Sequence, residues 1–185
     1  MRWEGLFDDL EAQAAALEQA ERAAEVDERT RSEIGALAWG DRARASLGAS
    51  VRARLAGGLA VSGLLCRAGP DWLLLDEGAG REALIVSAAV LGLRGLGRYS
   101  AVPDSDGVVA ARLGLRHALR AIARDRSVVR IHLRDGTTVD ATIDRVGRDF
   151  VEVATHAAAE LRRRQDVRDI ELVPLTAITA VRRAL

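Results

Sequence analysis

The sequence predicts an α+β protein in which an acidic N-terminal helix precedes two tandem five-strand β-barrels that are joined by a linking helix. The first observation is an internal repeat: residues 51–75 align without a gap on residues 129–153, 78 positions later. The second is the alternation of apolar and polar residues in the copies, which is typical of half-buried strands. The third is an apolar stripe at helical spacing before the first copy. The repeat determines the architecture, because each copy is expected to form the same structural unit.

Eight positions carry the same residue in both copies. They are Val51, Arg52, Leu55, Gly58, Val61, Arg67, Gly69 and Asp71, which recur as Val129, Arg130, Leu133, Gly136, Val139, Arg145, Gly147 and Asp149. Each copy is predicted to form three strands with two turns, since glycine accepts the positive φ that tight hairpins need.

A shorter segment closes each copy. Residues 85–94 align on residues 173–182, an offset of 88, and apolar residues flank a short helical step before a last strand. The additional ten residues, 88 minus 78, fall around His156 to Asp166 in the second copy. Five strands that close on themselves leave no exposed edge, so each copy is predicted to be a small barrel.

The pattern I-x-L-x-x-G-x-x-V-x-x-x-I-x-x-V-G-x-D-F, from Ile131 to Phe150, resembles the first conserved segment of Sm and LSm proteins. Leu93-Arg94-Gly95 is similar to the Arg-Gly of their second segment. The resemblance implies SH3-like small barrels and RNA as a partner. Sm proteins read uracil with an asparagine between the second and third strands, and this chain has no asparagine. The resemblance therefore does not imply the uridine pocket.

Two other segments, Met1 to Glu11 and Leu113 to Arg120, resemble uncharacterised actinobacterial proteins. All 27 basic residues are arginine, which indicates a GC-rich bacterial genome. The arginines therefore have two explanations, codon bias and contact with an anionic partner.

Four regions are predicted: a helical N-terminal region over residues 1–47, a first barrel over 48–100, a linker and helix over 101–126, and a second barrel over 127–185. Residues 1–36 hold ten acidic residues and four arginines, a net charge of −6, so the rest of the chain carries +6. This asymmetry indicates either an acidic helix that folds back on a basic body or a basic surface that is left for an anionic partner.

The apolar stripe of the N-terminal region predicts a helix from about Trp3 to Ile34, either as one segment or with a break near Asp27, which could cap a second segment. The stripe has two interpretations: it packs on its own barrel, or it is a dimerising coiled coil. In the second case the chain associates with itself through Trp3, Leu6, Phe7, Leu10 and Leu17.

The compartment is predicted from what the sequence lacks. No apolar run approaches the ~20 residues that a membrane span needs, so no membrane contact is expected. The acidic N-terminus has no signal-peptide pattern, and the single cysteine, Cys66, excludes a disulfide framework. These features predict a cytoplasmic protein.

No catalytic motif is present. The sequence has no P-loop, GxGxxG, GxSxG, HExxH or CxxC pattern, and its three histidines lack metal-ligand spacing. The chain is therefore predicted to have no enzymatic activity and no cofactor.

Two functions are consistent with these patterns. The first is RNA or nucleic-acid binding with a regulatory role, for which the candidate residues are Arg130, His132, Arg134, Arg145, Arg148, Arg162, Arg163 and Arg164. The alternative is a protein-interaction or assembly module that binds partners, including itself, through barrel edges or the N-terminal helix, without nucleic acid.

Overall fold

The computed structural model describes residues 3–101, 113–156 and 167–183, with side chains for all of them except residues 4–6, 156, 167 and 168. The fold is α+β, an N-terminal helix followed by an antiparallel ten-strand sheet. The chain divides into two compact units, Met1–Ala38 and Trp39–Leu185.

The helices are α1 (Trp3–Ala36), α2 (Trp39–Ala45) and α3 (Leu115–Asp125). The strands are β1 (Ser50–Leu55), β2 (Ala60–Ala68), β3 (Trp72–Gly78), β4 (Arg81–Val86), β5 (Val90–Arg94), β6 (Val128–Leu133), β7 (Thr138–Val146), β8 (Phe150–His156), β9 (Val167–Pro174) and β10 (Ile178–Arg183). Short 3-10 turns occupy Ala56–Gly58, Ser87–Ala89 and Leu175–Ala177.

The predicted N-terminal helix is confirmed as one helix of 34 residues. Exposed ion pairs four residues apart, Arg22 with Glu18 at 2.9 Å and Arg29 with Glu33 at 3.2 Å, add a few tenths of a kcal/mol each. Its apolar stripe includes exposed Trp3, Phe7, Leu10 and Leu17, while the side chain of Leu6 lies outside the described residues.

The strands pair in the order β5-β1-β2-β3-β4-β10-β6-β7-β8-β9. We call β1–β5 the first half-sheet and β6–β10 the second half-sheet. Each half has the same internal order, with its last strand paired to its first. The two copies of the sequence repeat therefore form the two halves of one continuous sheet.

The pairing register repeats as the sequence does. Leu73 pairs with Ile85 in the first half, and Val151 pairs with Val173 in the second. Arg52 likewise pairs with Arg94, as Arg130 pairs with Arg182. These pairs reproduce the offsets of 78 and 88, so corresponding residues occupy corresponding places in the ladder.

Two cores lie on opposite faces of the sheet, one for each half. In β4, Ala83 and Ile85 belong to the first core, whereas Leu84 and Val86 belong to the second. Successive residues of a strand point to opposite faces, so β4 is buried on both sides. Because β4 is buried on both faces, residues 83–86 are all apolar, whereas β1, with one exposed face, alternates apolar and polar residues.

The linking helix α3 is fixed to the first half by two hydrogen bonds. The backbone N–H of Leu115 donates to Oδ1 of Asp71 at 2.7 Å, and Nε1 of Trp72 donates to the carbonyl of Leu113 at 2.7 Å. The Asp71 carboxylate thereby accepts a hydrogen bond from a backbone N–H at the start of α3 that has no partner within the helix. Its negative charge also lies at the positive end of the helix dipole. Leu115 and Leu119 bury the other side of α3 in the second core. The helix predicted within residues 101–126 is observed over Leu115–Asp125, and residues 102–112 lie outside the described residues.

Candidate functional site

The two half-sheets meet where β4 pairs with β10, and we call this pair the junction. Ala180 lies opposite Ile85, Val181 opposite Leu84, and Arg182 opposite Ala83. Leu84 and Val181 are both buried in the second core. Backbone pairing of β4 with β10 and the apolar side chains of Leu84 and Val181 therefore hold the junction together.

Arg134, which follows β6, donates hydrogen bonds to both half-sheets. Its Nε donates to the carbonyl of Thr176 at 2.6 Å, and its Nη2 donates to the carbonyl of Ala88 at 2.7 Å. The two carbonyls belong to the 3-10 turns of different halves. Hydrogen bonds from a charged donor are stronger than neutral ones. Arg134, which the sequence predicted as a nucleic-acid contact, thus stabilises the contact between the two half-sheets.

The first turns of the two halves also touch. Gly57 has a φ of 71°, and a Cβ there would lie 2.7 Å from the carbonyl oxygen of Leu133 and 2.9 Å from the backbone nitrogen of Gly136. Both distances are shorter than real Cβ contacts allow. The approach of the halves therefore requires glycine at this position.

Polar side chains line the junction beside Ala180 and Arg182. Nη2 of Arg182 lies 2.8 Å from Oε1 of Glu77, across the two halves. Arg130 donates from Nε and Nη2 to both carboxylate oxygens of Asp140, at 2.7 Å and 2.8 Å. This bidentate hydrogen bond, together with the charge of Asp140, raises the pKa of Arg130.

His132 lies in the same polar row, directly opposite Ala180. Its buried Nε2 has no hydrogen-bond partner in the described part of the chain. Burial, followed by the charges of Arg182 and Arg130, lowers the pKa of His132. The imidazole is therefore held neutral in the fold.

Five of the eight predicted nucleic-acid contacts lie in the described part of the chain. Arg130, His132 and Arg134 lie at the junction, where the two arginines already bind groups of the protein. On β7, Nε of Arg145 lies 3.7 Å from Oε2 of Glu152. Arg148 is exposed in the β7–β8 turn. Arg162, Arg163 and Arg164 lie outside the described residues.

A second group of arginines was missed by sequence reasoning. Arg52 of β1 lies directly opposite Arg94 of β5, and Arg54 lies opposite Gly92. All three arginines are exposed, and they form no ion pair with described residues. Like charges that face each other across strands are unfavourable unless an anion lies between them. The repeat itself could have identified this group, since Arg52 and Arg94 correspond to Arg130 and Arg182 of the second copy, and Arg130 was among the predicted contacts.

β5 and β9 are the two outer strands of the ten-strand sheet. β5 exposes Leu91 and Arg94, and β9 exposes Ile170 and Leu172, which lie on either side of Glu171. An outer strand presents unpaired N–H and C=O groups and is a template for another chain. Exposed hydrophobic residues on such strands indicate a binding surface.

A groove of about 400 Å³ separates α3 from the β3–β4–β10 face. Its walls are mainly apolar, with Trp72, Leu84 and Val181 on the sheet and Ile122 on the helix, and charged residues such as Arg67 and Asp125 line it as well. Among the residues with described side chains, no three His, Cys, Asp or Glu residues are placed to hold a metal ion.

None of the described helices is long and apolar enough to cross a membrane. The sequence matches no protein-family model, and no curated protein is significantly similar to it.

Proposed function

We propose that this chain is a non-enzymatic assembly module whose outer strands bind partner proteins by extending the sheet. Its two half-sheets are two SH3-like small barrels of the Sm type, joined edge to edge. The strand order within each half, the 3-10 turn before each last strand and the two separate cores support this interpretation.

One observation carries the proposal: β4 of the first half pairs with β10 of the second. The same repeat therefore already uses its edges to bind a copy of itself within one chain. Strand addition supplies affinity through backbone hydrogen bonds and specificity through alternate side chains. β5 and β9 offer both, because no described strand pairs with their outer side and each exposes apolar side chains.

The N-terminal helix supplies a second contact in this proposal. Trp3, Phe7, Leu10 and Leu17 repeat at helical spacing and are exposed in α1. Exposed stripes of this kind associate as coiled coils when a second helix covers them. The edges then select the partner, and α1 increases the local concentration of modules.

The test is to place a charge on an outer strand. Leu172→Lys puts a cation on β9, which opposes strand addition. Leu64→Lys is the matched control, because Leu64 is 49% exposed on β2, a strand with neighbours on both sides. Partner proteins cross-linked to the wild-type chain near β9 should be lost with Leu172→Lys and kept with Leu64→Lys. Equal retention by both variants would contradict the proposal.

Nucleic-acid binding is the second candidate function, and the facing pair of Arg52 and Arg94 favours it. Phosphates would relieve the repulsion between these arginines, with Arg54 beside them. Arg148 and Arg145 extend the proposed contact to the second half. The arginines of β1 and β5, which form no ion pair with described residues, are better placed for phosphate than Arg130, whose guanidinium is held by Asp140.

RNA retained by the protein after purification without nuclease tests this second function. Binding should weaken steeply as salt rises, and Arg52→Gln with Arg54→Gln should reduce both the affinity and the slope of log K against log salt by about two phosphate contacts. Arg130→Gln is the comparison, because a guanidinium held by Asp140 contributes little to that slope. Protein free of nucleic acid at low salt would count against it.

A further inference from the structure

We propose that the groove between α3 and the β3–β4–β10 face is a ligand site that binds a small carboxylic acid with an apolar body. This function goes beyond the binding of partner proteins at the outer strands, because the groove lies on a face of the sheet and not at its edge. The volume of about 400 Å³ is within the range of small-molecule sites. The apolar walls bind the body of the ligand, and Arg67 binds its carboxylate.

The repeat singles out Arg67 among the arginines of the sheet. Its counterpart in the second copy, Arg145, lies directly opposite Glu152 on β8, with 3.7 Å between Nε and Oε2. In the first copy Arg67 lies directly opposite Leu74 on β3, at the position that corresponds to Glu152. Arg67 is exposed and forms no ion pair with described residues. The first copy therefore has an apolar groove wall where the second copy has a carboxylate beside the arginine.

The apolar surface continues from Arg67 across the sheet. Leu74 pairs with Leu84 on β4, and Leu84 pairs with Val181 on β10. Neighbouring strands lie about 4.8 Å apart, so the row from Arg67 to Val181 is about 14 Å long. Ile122 of α3, which is half-buried, lines the opposite wall. An extended apolar chain can therefore lie along the row with its carboxylate at Arg67.

Hydrogen bonds fix the two walls of the groove relative to each other. Nε1 of Trp72 on the sheet donates to the carbonyl of Leu113 at 2.7 Å, and the backbone N–H of Leu115 donates to Oδ1 of Asp71 at 2.7 Å. Leu115 is also buried in the second core. A groove that is formed before the ligand binds needs little ordering on binding, which favours affinity for a small ligand.

Opposite charges lie side by side at another end of the groove. The register of β4 with β10 places Glu82 beside Arg183, so the two charges offset each other. Asp125, at the end of α3, accepts a hydrogen bond from the hydroxyl of Ser127. Arg67, at the β2 end of the apolar row, is therefore the group that selects an acid.

Titration calorimetry of the full chain with decanoate, decanol and decylamine tests the site. These probes share an apolar chain and have a negative, a neutral and a positive headgroup. The wild type should bind decanoate at least about tenfold more tightly than decanol, because charge-assisted hydrogen bonds from Arg67 add to the same apolar contacts. Arg67→Gln should remove this difference and leave decanol binding unchanged, whereas Arg67→Glu should bind decylamine in preference to decanoate.

Two further variants separate the charge from the apolar walls. Arg145→Gln is the matched control, because Arg145 is the counterpart of Arg67 outside the groove, and it should leave all three affinities unchanged. Ala121 is exposed on α3 and lines the groove, so the ring in Ala121→Trp should block decanoate and decanol alike. Thermal unfolding checks that each variant is folded, and a gain of decylamine binding by Arg67→Glu cannot come from misfolding.

A wild-type chain that does not bind decanoate overturns the inference. So does an equal loss of decanoate binding in Arg67→Gln and Arg145→Gln, or an Ala121→Trp variant that binds both probes as the wild type does. The proposed function is judged separately, by the cross-linking of partner proteins near β9. Loss of either result leaves the other standing, because the groove and the outer strands are different surfaces.

Discussion

The junction strands β4 and β10 correspond in the repeat to the outer strands β9 and β5, respectively. The junction strands pair with each other, whereas each outer strand has a neighbouring strand on one side only. At the junction β4 and β10 are buried on both faces, and Arg134 fastens the turns of the two halves. At the ends of the sheet β9 and β5 keep the same register within their halves but leave Leu91, Ile170 and Leu172 exposed. The difference shows that burial here is a property of position in the sheet and not of the repeat unit.

The largest expected difference is between Leu84 and its counterpart Leu172. Leu84→Ala removes a buried side chain from the second core and should lower the free energy of unfolding by about 2–5 kcal/mol. Leu172→Ala should change it by less than about 0.5 kcal/mol under dilute conditions, because Leu172 is exposed. Urea denaturation of both variants measures the contrast. Equal losses would mean that β9 is buried as β4 is.

The contact between the turns of the halves gives an intermediate effect. Gly57→Ala and Gly58→Ala both place alanine at positive φ, which costs about 1–2 kcal/mol. Only Gly57→Ala also brings a Cβ within 2.7 Å of Leu133, whereas nothing lies within 4 Å at Gly58. Gly57→Ala should therefore be the more destabilising in thermal unfolding. A loss no greater than that of Gly58→Ala would mean that the turns do not press together.

The smallest effect concerns pH. The folded pKa of His132 is lowered, and Arg182, Arg130, Glu77 and Asp140 are the charged groups that act on it. Below its ordinary value of 6.5 the unfolded chain binds a proton that the folded chain resists. Stability is therefore full above that value and decreases as pH falls through it toward the folded pKa.

His132→Gln should remove this part of the acid sensitivity. The urea midpoint of the wild type, compared at about pH 7.5 and about pH 5.5, should fall further than that of the variant. Carboxylates contribute to both proteins and cancel in the difference. Equal falls would mean that the junction does not hold His132 neutral.

Local patterns predicted the elements of this fold well. Alternation predicted strands such as β6 and β7, and the apolar stripe predicted α1. Each of these signals is short in range, because a strand or helix shows its buried side in its own sequence. The hydrogen bond between Leu115 and Asp71, by contrast, joins residues 44 apart and has no local signature in the sequence.

The candidate site was harder to predict than the fold. Arg130 and Arg134 look like free cations in the sequence, but one is paired with Asp140 and the other binds two backbone carbonyls. Which arginine is free depends on the strand that lies beside it. Arg52 and Arg94 are far apart in the chain and become neighbours only when β1 pairs with β5.

The sequence by itself determined the repeat, the ten strands within it and the offsets that make corresponding residues equivalent. The tertiary structure alone decided that β4 and β10 join the two halves, and hence that β5 and β9 are left at the ends. The physical reason is that every strand of the repeat carries the same backbone donors and acceptors. Which strands pair across the repeats depends on side chains brought together by folding, among them Leu84 with Val181 and Arg134 with Ala88.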